Sequence, residues 1–316
     1  TGSGFEHFYG FIGGETNQYA PAIYRDTVPV EPDRTAEEGY HFTEDMTDQA
    51  VDWVKQQKAL MPDKPFFVYF APGATHAPHH VRPEWSDKYK GAFDDGWDVL
   101  RERTLTRQKE LGVVPPDAEL TERPAEIPAW DDMPDDLKPV LARQMEVYAG
   151  FLEHTDHHVG RLIDGLEELG ILENTLVYYV IGDNGASAEG TPNGCFNELA
   201  ILNGAFGLET TEFMVSRIDD FGTPAAYNHY AVGWAHAMDT PYQWTKQIAS
   251  HWGGTRNGTI VHWPNGIKAK GEVRSQFHHV IDVAATALDA AGLPEPESVN
   301  GVQQIPLEGV SMAYSF

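Results

Sequence analysis

Two short apolar runs constrain the fold of this chain more than any other feature of its sequence. Residues 65–71 (PFFVYFA) and 175–181 (TLVYYVI) are rich in aromatic or β-branched side chains and show no polar alternation. Runs of this kind are typical of strands that are buried on both faces of a parallel sheet. A third candidate strand covers residues 259–263, where the sequence is TIVHW.

Helical patterns separate and follow these runs. Thr43 has the character of an N-cap, with Glu44 and Asp45 in the first turn, where the helix dipole favours acids. Glycine at positions 170 and 292 is suited to ending a helix. The predicted helices cover residues 43–60, 137–169 (one helix or two in series), 241–250 and 280–291.

Strands that alternate with helices predict an α/β fold, with a mainly parallel central sheet flanked by helices. Two segments, 82–135 and 186–245, are polar or rich in glycine and lack a clear period, so we interpret them as loop-rich excursions from one domain that covers residues 1–316. Ligands of such folds bind beyond the carboxyl ends of the strands. This rule draws attention to His76, Asp183 and Asn184.

Composition excludes several classes of function. The chain has 22 basic and 48 acidic residues, a formal net charge of -26, which opposes binding to nucleic acid. Cys195 is the one cysteine, so no intrachain disulfide and no cysteine-based zinc site can form. No apolar run approaches the roughly 20 residues that a membrane span requires. We expect Cys195 to be a small core or loop residue rather than a nucleophile.

Asp183 and Asn184 are the candidate metal ligands. A neighbouring carboxylate and carboxamide at a strand end offer hard oxygen atoms, which suit Ca²⁺ or Mg²⁺. The sequence Asp-Asn-Gly is also ordinary turn chemistry, because asparagine and glycine tolerate positive φ angles. The pattern by itself leaves both interpretations open.

His76 and Lys246 are the candidate catalytic residues. His76 could donate a proton to a leaving group or bind an anion, and with His79 and His80 it could belong to a transition-metal cluster. It could also be a partly buried histidine bonded to a carbonyl group. Lys246 precedes a Gly-Gly turn and could place a charge on a sulfate or phosphate, although most lysines are simply solvated.

The order of these features along the chain resembles that of the arylsulfatases, within the alkaline-phosphatase-like superfamily. Residues 65–78 (PFFVYFAPGATHAP) match the family's active-site histidine segment, and residues 89–98 (YKGAFDDGWD) match the excursion after it. Residues 143–149 (RQMEVYA), with Asp156 and 159–162 (VGRL), match its long central helix. Residues 174–186 match the metal-binding strand and turn, residues 240–256 match the sulfate-binding lysine segment, and residues 281–289 match the helix that follows.

The resemblance implies an alkaline-phosphatase-like catalytic domain that hydrolyses sulfate esters of small molecules or glycans. Asp183 and Asn184 would be two ligands of Ca²⁺, which the family favours over Mg²⁺. His76 would contact the sulfate or protonate the leaving oxygen, and Lys246 would bind the sulfate group. The resemblance assigns no role to His79, His80 or His251, implies a periplasmic or secreted location, and gives no oligomeric state.

Departures from the family are equally informative. Arylsulfatases carry a Cys-x-Pro-x-Arg or Ser-x-Pro-x-Arg motif whose first residue becomes formylglycine, and this chain has no such motif. An aspartate pair and a Lys-x-His pair of the family are absent too, so we expect a partial domain, incomplete at both ends, whose nucleophile and remaining calcium ligands lie in a missing segment. The resemblance then implies negligible sulfatase activity and weak calcium binding for residues 1–316 alone. The alternatives are a phosphate or phosphonate ester hydrolase of the same superfamily, and an inactive fragment or non-catalytic binding protein.

Overall fold

The computed structural model describes residues 4–316, which divide into two compact units. Among the described residues, the first unit contains residues 4–169 and Gly182–Asn257, and the second contains Gly170–Ile181 and Gly258–Phe316. All four predicted site residues belong to the first unit. No helix within residues 4–316 has both the length and the apolar character that crossing a membrane requires.

Helices dominate the first unit, and the sheet among its described residues is small and antiparallel, in the order β1-β2-β3. Its strands are β1 (Tyr9–Gly10), β2 (Ile23–Arg25) and β3 (Val28–Val30). Its helices are α1 (Phe42–Leu60), α2 (Pro83–Ser86), α3 (Gly96–Leu111), α4 (Lys138–Glu168), α5 (Glu198–Leu202), α6 (Thr211–Ser216), α7 (Val232–Met238) and α8 (Trp252–Thr255). Short 3-10 helices lie at Asp87–Tyr89, Phe206–Leu208 and Ile218–Asp220.

Helix α4 runs unbroken for 31 residues, so the predicted segment 137–169 is one helix rather than two. Its apolar stripe is buried because α1 and α2 pack against it. The helix is followed by Gly170 at a φ of 67°, the left-handed conformation that the sequence predicts there. Helix α1 is also confirmed, but the predicted N-cap is wrong by two residues. His41 caps the helix through its side chain, which accepts a hydrogen bond from the Thr43 amide.

The main core of the first unit is aromatic. Trp97, Trp130 and Trp234 pack against one another with ring centroids 4.9–5.6 Å apart, and each side chain is at least nine-tenths buried. Trp97 lies at the start of α3, so the segment 82–135, which the sequence predicts to be loop-rich, supplies a helix of 16 residues and two of the central side chains.

The second unit is built on a two-stranded antiparallel ladder. Strand β4 (Val177–Ile181) pairs with β5 (Gly258–His262), and helix α9 (Ile281–Ala290) follows. A short hairpin of β6 (Ser298–Val299) and β7 (Val302–Gln303) comes next, with 3-10 helices at Leu172–Asn174 and Met312–Ser315. Asp282 of α9 accepts hydrogen bonds from the backbone amides of His279 and Val310, which ties the helix to the last residues of the chain.

Two local predictions differ from the structure. Residues 65–71 form no ladder, and Phe67 and Tyr69 are 65% and 75% exposed, so the predicted strand has no pairing partner within residues 4–316. A strand requires a neighbouring edge, and no described segment supplies one to this run. Residues 241–250 form a series of turns instead of a helix. The strands predicted near 175–181 and 259–263 are confirmed as β4 and β5.

The α/β character of the fold is confirmed, but every pair of named strands in residues 4–316 is antiparallel. The mainly parallel central sheet therefore stays a prediction. Strands β4 and β5 are each partly exposed, as expected when neither face of a two-stranded ladder is fully covered.

Substitution of Gly150 tests the close packing of α2 on α4. A Cβ atom at this position would lie 2.6 Å from the backbone nitrogen of Ser86, which cannot move without shifting α2. We expect Gly150→Ala to lower the free energy of unfolding by about 1–3 kcal/mol, the usual cost of overpacking. Urea unfolding followed by circular dichroism measures this change.

Gly160→Ala is the matched control, because it lies in the same helix and a Cβ atom there meets nothing within 4 Å. This control should raise the stability by roughly 0.5–1 kcal/mol, since alanine loses less backbone entropy than glycine in a helix. Equal effects of the two substitutions would contradict the packing argument.

Candidate active site

His76 and Lys246, the two predicted catalytic residues, lie in contact. The Nζ atom of Lys246 is 3.2 Å from Nε2 of His76. A lysine ammonium group can only donate, so Nε2 accepts and the ring proton of a neutral His76 is on Nδ1. Nδ1 lies 2.9 Å from the carbonyl oxygen of Ala77 and 3.5 Å from a carboxylate oxygen of Glu15. His76 is thus held in one tautomer, with Nε2 directed toward the lysine.

Glu189 provides the counter-charge to Lys246, and no sequence pattern predicts this role. Its carboxylate accepts hydrogen bonds from Lys246 at 3.0 Å, from Gln247 at 2.9 Å and from Ser187 at 2.9 Å. Burial raises the pKa of Glu189, but the hydrogen bonds from Lys246 and Ser187 outweigh it and hold the pKa below its usual value. The ammonium group is therefore partly neutralised, and an incoming anion would have to take the place of this carboxylate.

A second pair of carboxyl groups, Glu15 and Glu198, lies beside the same site. Glu15 accepts a hydrogen bond of 2.9 Å from the hydroxyl group of Tyr227, and its charge acts on the neighbouring Glu198. Glu198 is only 3% exposed. Burial, and then the charges of Glu15 and Glu189, raise the pKa of Glu198 to about 8. Glu198 is thus mainly protonated at neutral pH.

Asp183 and Asn184 lie in the loop that leads to Ala186. The side chain of Asn184 donates a hydrogen bond of 2.8 Å to Asp183, and Asp183 is exposed. Ala186 fixes the end of this loop, since its carbonyl accepts from the Lys246 amide at 2.9 Å. The amide of Ala186 donates a hydrogen bond to Asp239. Burial raises the pKa of Asp239 to about 7, although this hydrogen bond acts to lower it. Backbone contacts therefore link the predicted metal loop to the lysine segment.

The close approach of two glycine segments also fixes this loop. The amide of Gly185 donates to the carbonyl of Gly254 at 3.1 Å. A Cβ atom at Gly185 would lie 1.7 Å from the carbonyl oxygen of Gly253, so only glycine fits here. The Asp-Asn-Gly sequence thus forms a turn, and the side chain of Asp183 is exposed at that turn.

The metal prediction for Asp183 and Asn184 stays a prediction. They offer one carboxylate and one carboxamide, whereas Ca²⁺ takes about six to eight oxygen ligands. In the described part of the chain, the one group of three clustered metal-binding side chains is Glu44, His154 and His158. His80 is buried and bonded to Gln18 and Ala226, so it does not join His76 and His79 in a transition-metal cluster.

A cleft of about 290 Å³ lies next to Lys246. Its walls include the apolar side chains of Ile127, Val232 and Trp244. His236 also lines it, and although this side chain is only 1% exposed, neither ring nitrogen has a hydrogen-bond partner among the described residues. Burial lowers the pKa of His236 to about 4, so its ring is neutral and can both donate and accept.

Cys195 is fully buried, and burial raises the pKa of its thiol. A thiol in this state is a poor nucleophile, as the sequence predicts. His251 is bonded to the neighbouring Ser250 at 2.9 Å and has no contact with His76 or Lys246 among the described contacts.

Comparison with known proteins gives a consistent result. The profile of the Sulfatase family matches residues 1–293. An arylsulfatase from Klebsiella aerogenes is 26% identical over 98% of this chain and 65% of its own length. A sulfatase from Schizosaccharomyces pombe is 31% identical over 81% of this chain and 43% of its own length.

A solved structure shares the fold. The crystal structure of Ps i-CgsB has a TM-score of 0.55 and 19% identity, and the match covers 99% of this chain and 50% of that protein. The chain described here therefore spans between about two fifths and two thirds of the length of these similar proteins.

Replacement of Glu198 tests the carboxyl pair through the pH dependence of stability. Its pKa of about 8 in the folded state exceeds its ordinary value of 4.5, so its contribution to stability is complete below pH 4.5 and is lost as the pH rises through 8. We expect Glu198→Gln to be more stable than the unsubstituted chain above pH 8, with the difference shrinking toward pH 4.5. Urea unfolding at pH 5, 7 and 9 measures the difference.

Glu212→Gln, at an exposed position, is the control and should give a difference that does not change across this range. A difference for Glu198→Gln that is also independent of pH would show that the buried carboxyl is not protonated at neutral pH.

Proposed function

This chain belongs to the sulfatase family, and on that premise we propose that it takes part in the hydrolysis of sulfate esters. The single observation that carries the proposal is the contact between Lys246 and His76, at 3.2 Å, beside an open cleft. A cation and a proton carrier side by side are what cleavage of an anionic ester requires.

Lys246 would bind the sulfuryl group. Its ammonium group is paired with Glu189 at 3.0 Å, and this carboxylate occupies the position that a sulfuryl oxygen would take. The Lys246–Glu189 pair is partly exposed, so exchange of the carboxylate for substrate costs little. Once the exchange is made, Lys246 stabilises negative charge that spreads over the sulfuryl oxygens as the S–O bond breaks.

His76 would supply the proton of the leaving alcohol. In the structure its Nε2 atom accepts from Lys246, and this contact is released when Lys246 turns toward the substrate. Nε2 can then take up a proton and donate it to the ester oxygen, while Nδ1–H stays on the carbonyl of Ala77. Glu15, at 3.5 Å from Nδ1, stabilises the cationic ring. The net reaction adds water across the S–O bond and yields the alcohol and sulfate.

Asp183 and Asn184 would contribute two oxygen ligands to a Ca²⁺ ion, with water or other protein groups completing the set. The free carboxylate oxygen of Asp183 and the carboxamide oxygen of Asn184 are hard donors that suit this ion. Ca²⁺ at this position would add charge stabilisation for the sulfuryl group, and a formylglycine residue, whose motif is not among these residues, would supply the nucleophile.

The cleft beside Lys246 would hold the alcohol part of the substrate. Its volume of about 290 Å³ suits a single aromatic ring or one sugar unit, and its walls combine apolar side chains with the unpaired nitrogens of His236. We therefore expect a small sulfate ester, or the terminal unit of a sulfated glycan.

For the fold, we propose an alkaline-phosphatase-like arrangement in which residues 65–71 become a strand of a larger, mainly parallel sheet. The exposure of Phe67 and Tyr69 supports this, because such side chains are normally covered. An apolar segment with unpaired backbone groups has the properties of an edge strand, which can pair with a further strand.

Substitution of Lys246 and of His76 tests the proposed hydrolysis of sulfate esters, measured with the full-length protein that contains these residues. We expect Lys246→Ala to lower kcat/KM for 4-nitrophenyl sulfate by about 10²–10³-fold, the usual effect of removing a transition-state charge contact. We expect His76→Asn to slow phenyl sulfate more than 4-nitrophenyl sulfate, because the poorer leaving group depends more on protonation.

Lys268→Ala, an exposed lysine of the second unit, is the control and should leave both rates unchanged. A preference for 4-nitrophenyl phosphate or a phosphonate ester would assign the chain to the other hydrolases of the superfamily. Absence of turnover with every ester would favour a non-catalytic binding protein.

Trp244→Ala tests the assignment of the cleft. Loss of the indole removes apolar contact worth roughly 1–2 kcal/mol, so KM for an aryl sulfate should rise about 5–30-fold with a smaller change in kcat. Trp252→Ala is the matched control, since Trp252 lies on the same part of the chain, is 58% exposed and does not line the cleft. Equal effects of the two variants on KM would contradict the assignment.

A further inference from the structure

We propose that Glu44, His154 and His158 form a binding site for a transition-metal cation of the Zn²⁺ type, separate from the candidate active site. Their ligand atoms all lie within 4.8 Å of one another. Glu44 lies in the first turn of α1, and the two histidines lie one turn apart on α4, which packs against α1. Histidines at positions i and i+4 of a helix point the same way and can bind one ion.

Burial distinguishes this group from a chance surface cluster. His154 is 1% exposed, His158 is 6% exposed, and the side chain of Glu44 is 19% exposed. The Nε2 atom of His154 lies 3.3 Å from Glu44, whereas its Nδ1 atom is buried and has no hydrogen-bond partner in the described part of the chain. The Nε2 atom, on the side of Glu44, is the nitrogen available to an ion shared with that carboxylate.

The donor set selects the class of ion. Two imidazoles and one carboxylate suit Zn²⁺ and Co²⁺, whereas Ca²⁺ prefers oxygen atoms alone. A neutral imidazole binds such an ion through a ring nitrogen without releasing a proton. Three protein ligands leave a fourth position for water.

Two guanidinium groups compete with the ion. Arg82 donates to Glu44 at 2.6 Å, and Arg161 donates to Nδ1 of His158 at 3.0 Å. Each has a second partner that would hold it in place: the carbonyl of Gly39 for Arg82, and the carboxylate of Asp48 for Arg161. The ion can therefore replace the contact to His158 without leaving Arg161 unpaired. This competition predicts micromolar affinity rather than the tighter binding of a closed structural zinc site.

The site is independent of the proposed sulfatase chemistry. Within residues 4–316, none of its three side chains is hydrogen-bonded to His76, Lys246 or Asp183. An ion here would bridge α1 and α4, so its effect would be on the stability of the first unit.

Zinc titration of the chelator-treated 316-residue chain tests the proposal by isothermal titration calorimetry. We expect one Zn²⁺ per chain, no competition by Ca²⁺, and a Co²⁺ complex whose visible absorption is that of a four-coordinate site. His154→Gln and His158→Gln should each weaken Zn²⁺ binding at least tenfold and abolish the rise in Tm that Zn²⁺ produces. His157→Gln is the matched control, because His157 is the exposed neighbour on the same helix.

A second measurement avoids substitution of the site itself. The ring of Trp85 lies 5.2 Å from that of His154, so Cu²⁺ bound at the site should quench its fluorescence, and Trp85→Phe should remove the quenched component. Absence of Zn²⁺ binding, or equal loss of binding in His157→Gln, would overturn the proposal. So would zinc affinity that survives in the folded His154→Gln and His158→Gln variants.

Discussion

Helix α4 holds the first unit together through one buried amide. Gln144 is fully buried, and both ends of its side chain are used: its nitrogen donates to the carbonyl of Asn193, and its oxygen accepts from the amide of Ala231, each at 3.0 Å. A Cβ atom at Gly194 would lie 2.1 Å from the side-chain amide of Gln144, so only glycine fits at this position. An amide satisfied in this way fixes two distant loops against one helix.

The consequences of that constraint reach the candidate site. The loops held by Gln144 are joined by bridges between Cys195 and His229 and between Asn197 and Tyr227. Tyr227 positions Glu15, and Glu198 begins the helix that follows Asn197. The carboxyl groups around His76 are therefore placed by the packing of α4 and not by any feature of the histidine segment itself.

Electrostatics at this site differ from those of the chain as a whole. The net charge is -26, but burial reduces the negative charge around Lys246 by raising the pKa of Glu198 to about 8 and that of Asp239 to about 7. Near neutral pH, Glu198 is therefore mostly protonated and Asp239 is about half protonated. This local reduction of negative charge is what the proposed binding of an anion by Lys246 requires. The proposed metal site of Glu44, His154 and His158 is separate from these residues and would bind a cation of the Zn²⁺ type.

The sequence by itself determined the helices α1, α4 and α9, the glycines that end two of them, strands β4 and β5, and the order of motifs that identifies the family. Periodicity, turns and caps depend on residues that are close in sequence, so they can be predicted locally. Through the resemblance, the sequence also assigned roles toward one sulfate group to His76 and Lys246, and the structure shows that the two are in contact. Only the tertiary structure decided that residues 65–71 stay unpaired and that β4 and β5 run antiparallel, because a strand does not encode its own neighbour. The sequence also could not predict the roles of four acidic residues, because each role depends on partners that the fold brings together from distant parts of the chain. These residues are Glu15, Glu189, Glu198 and Asp239.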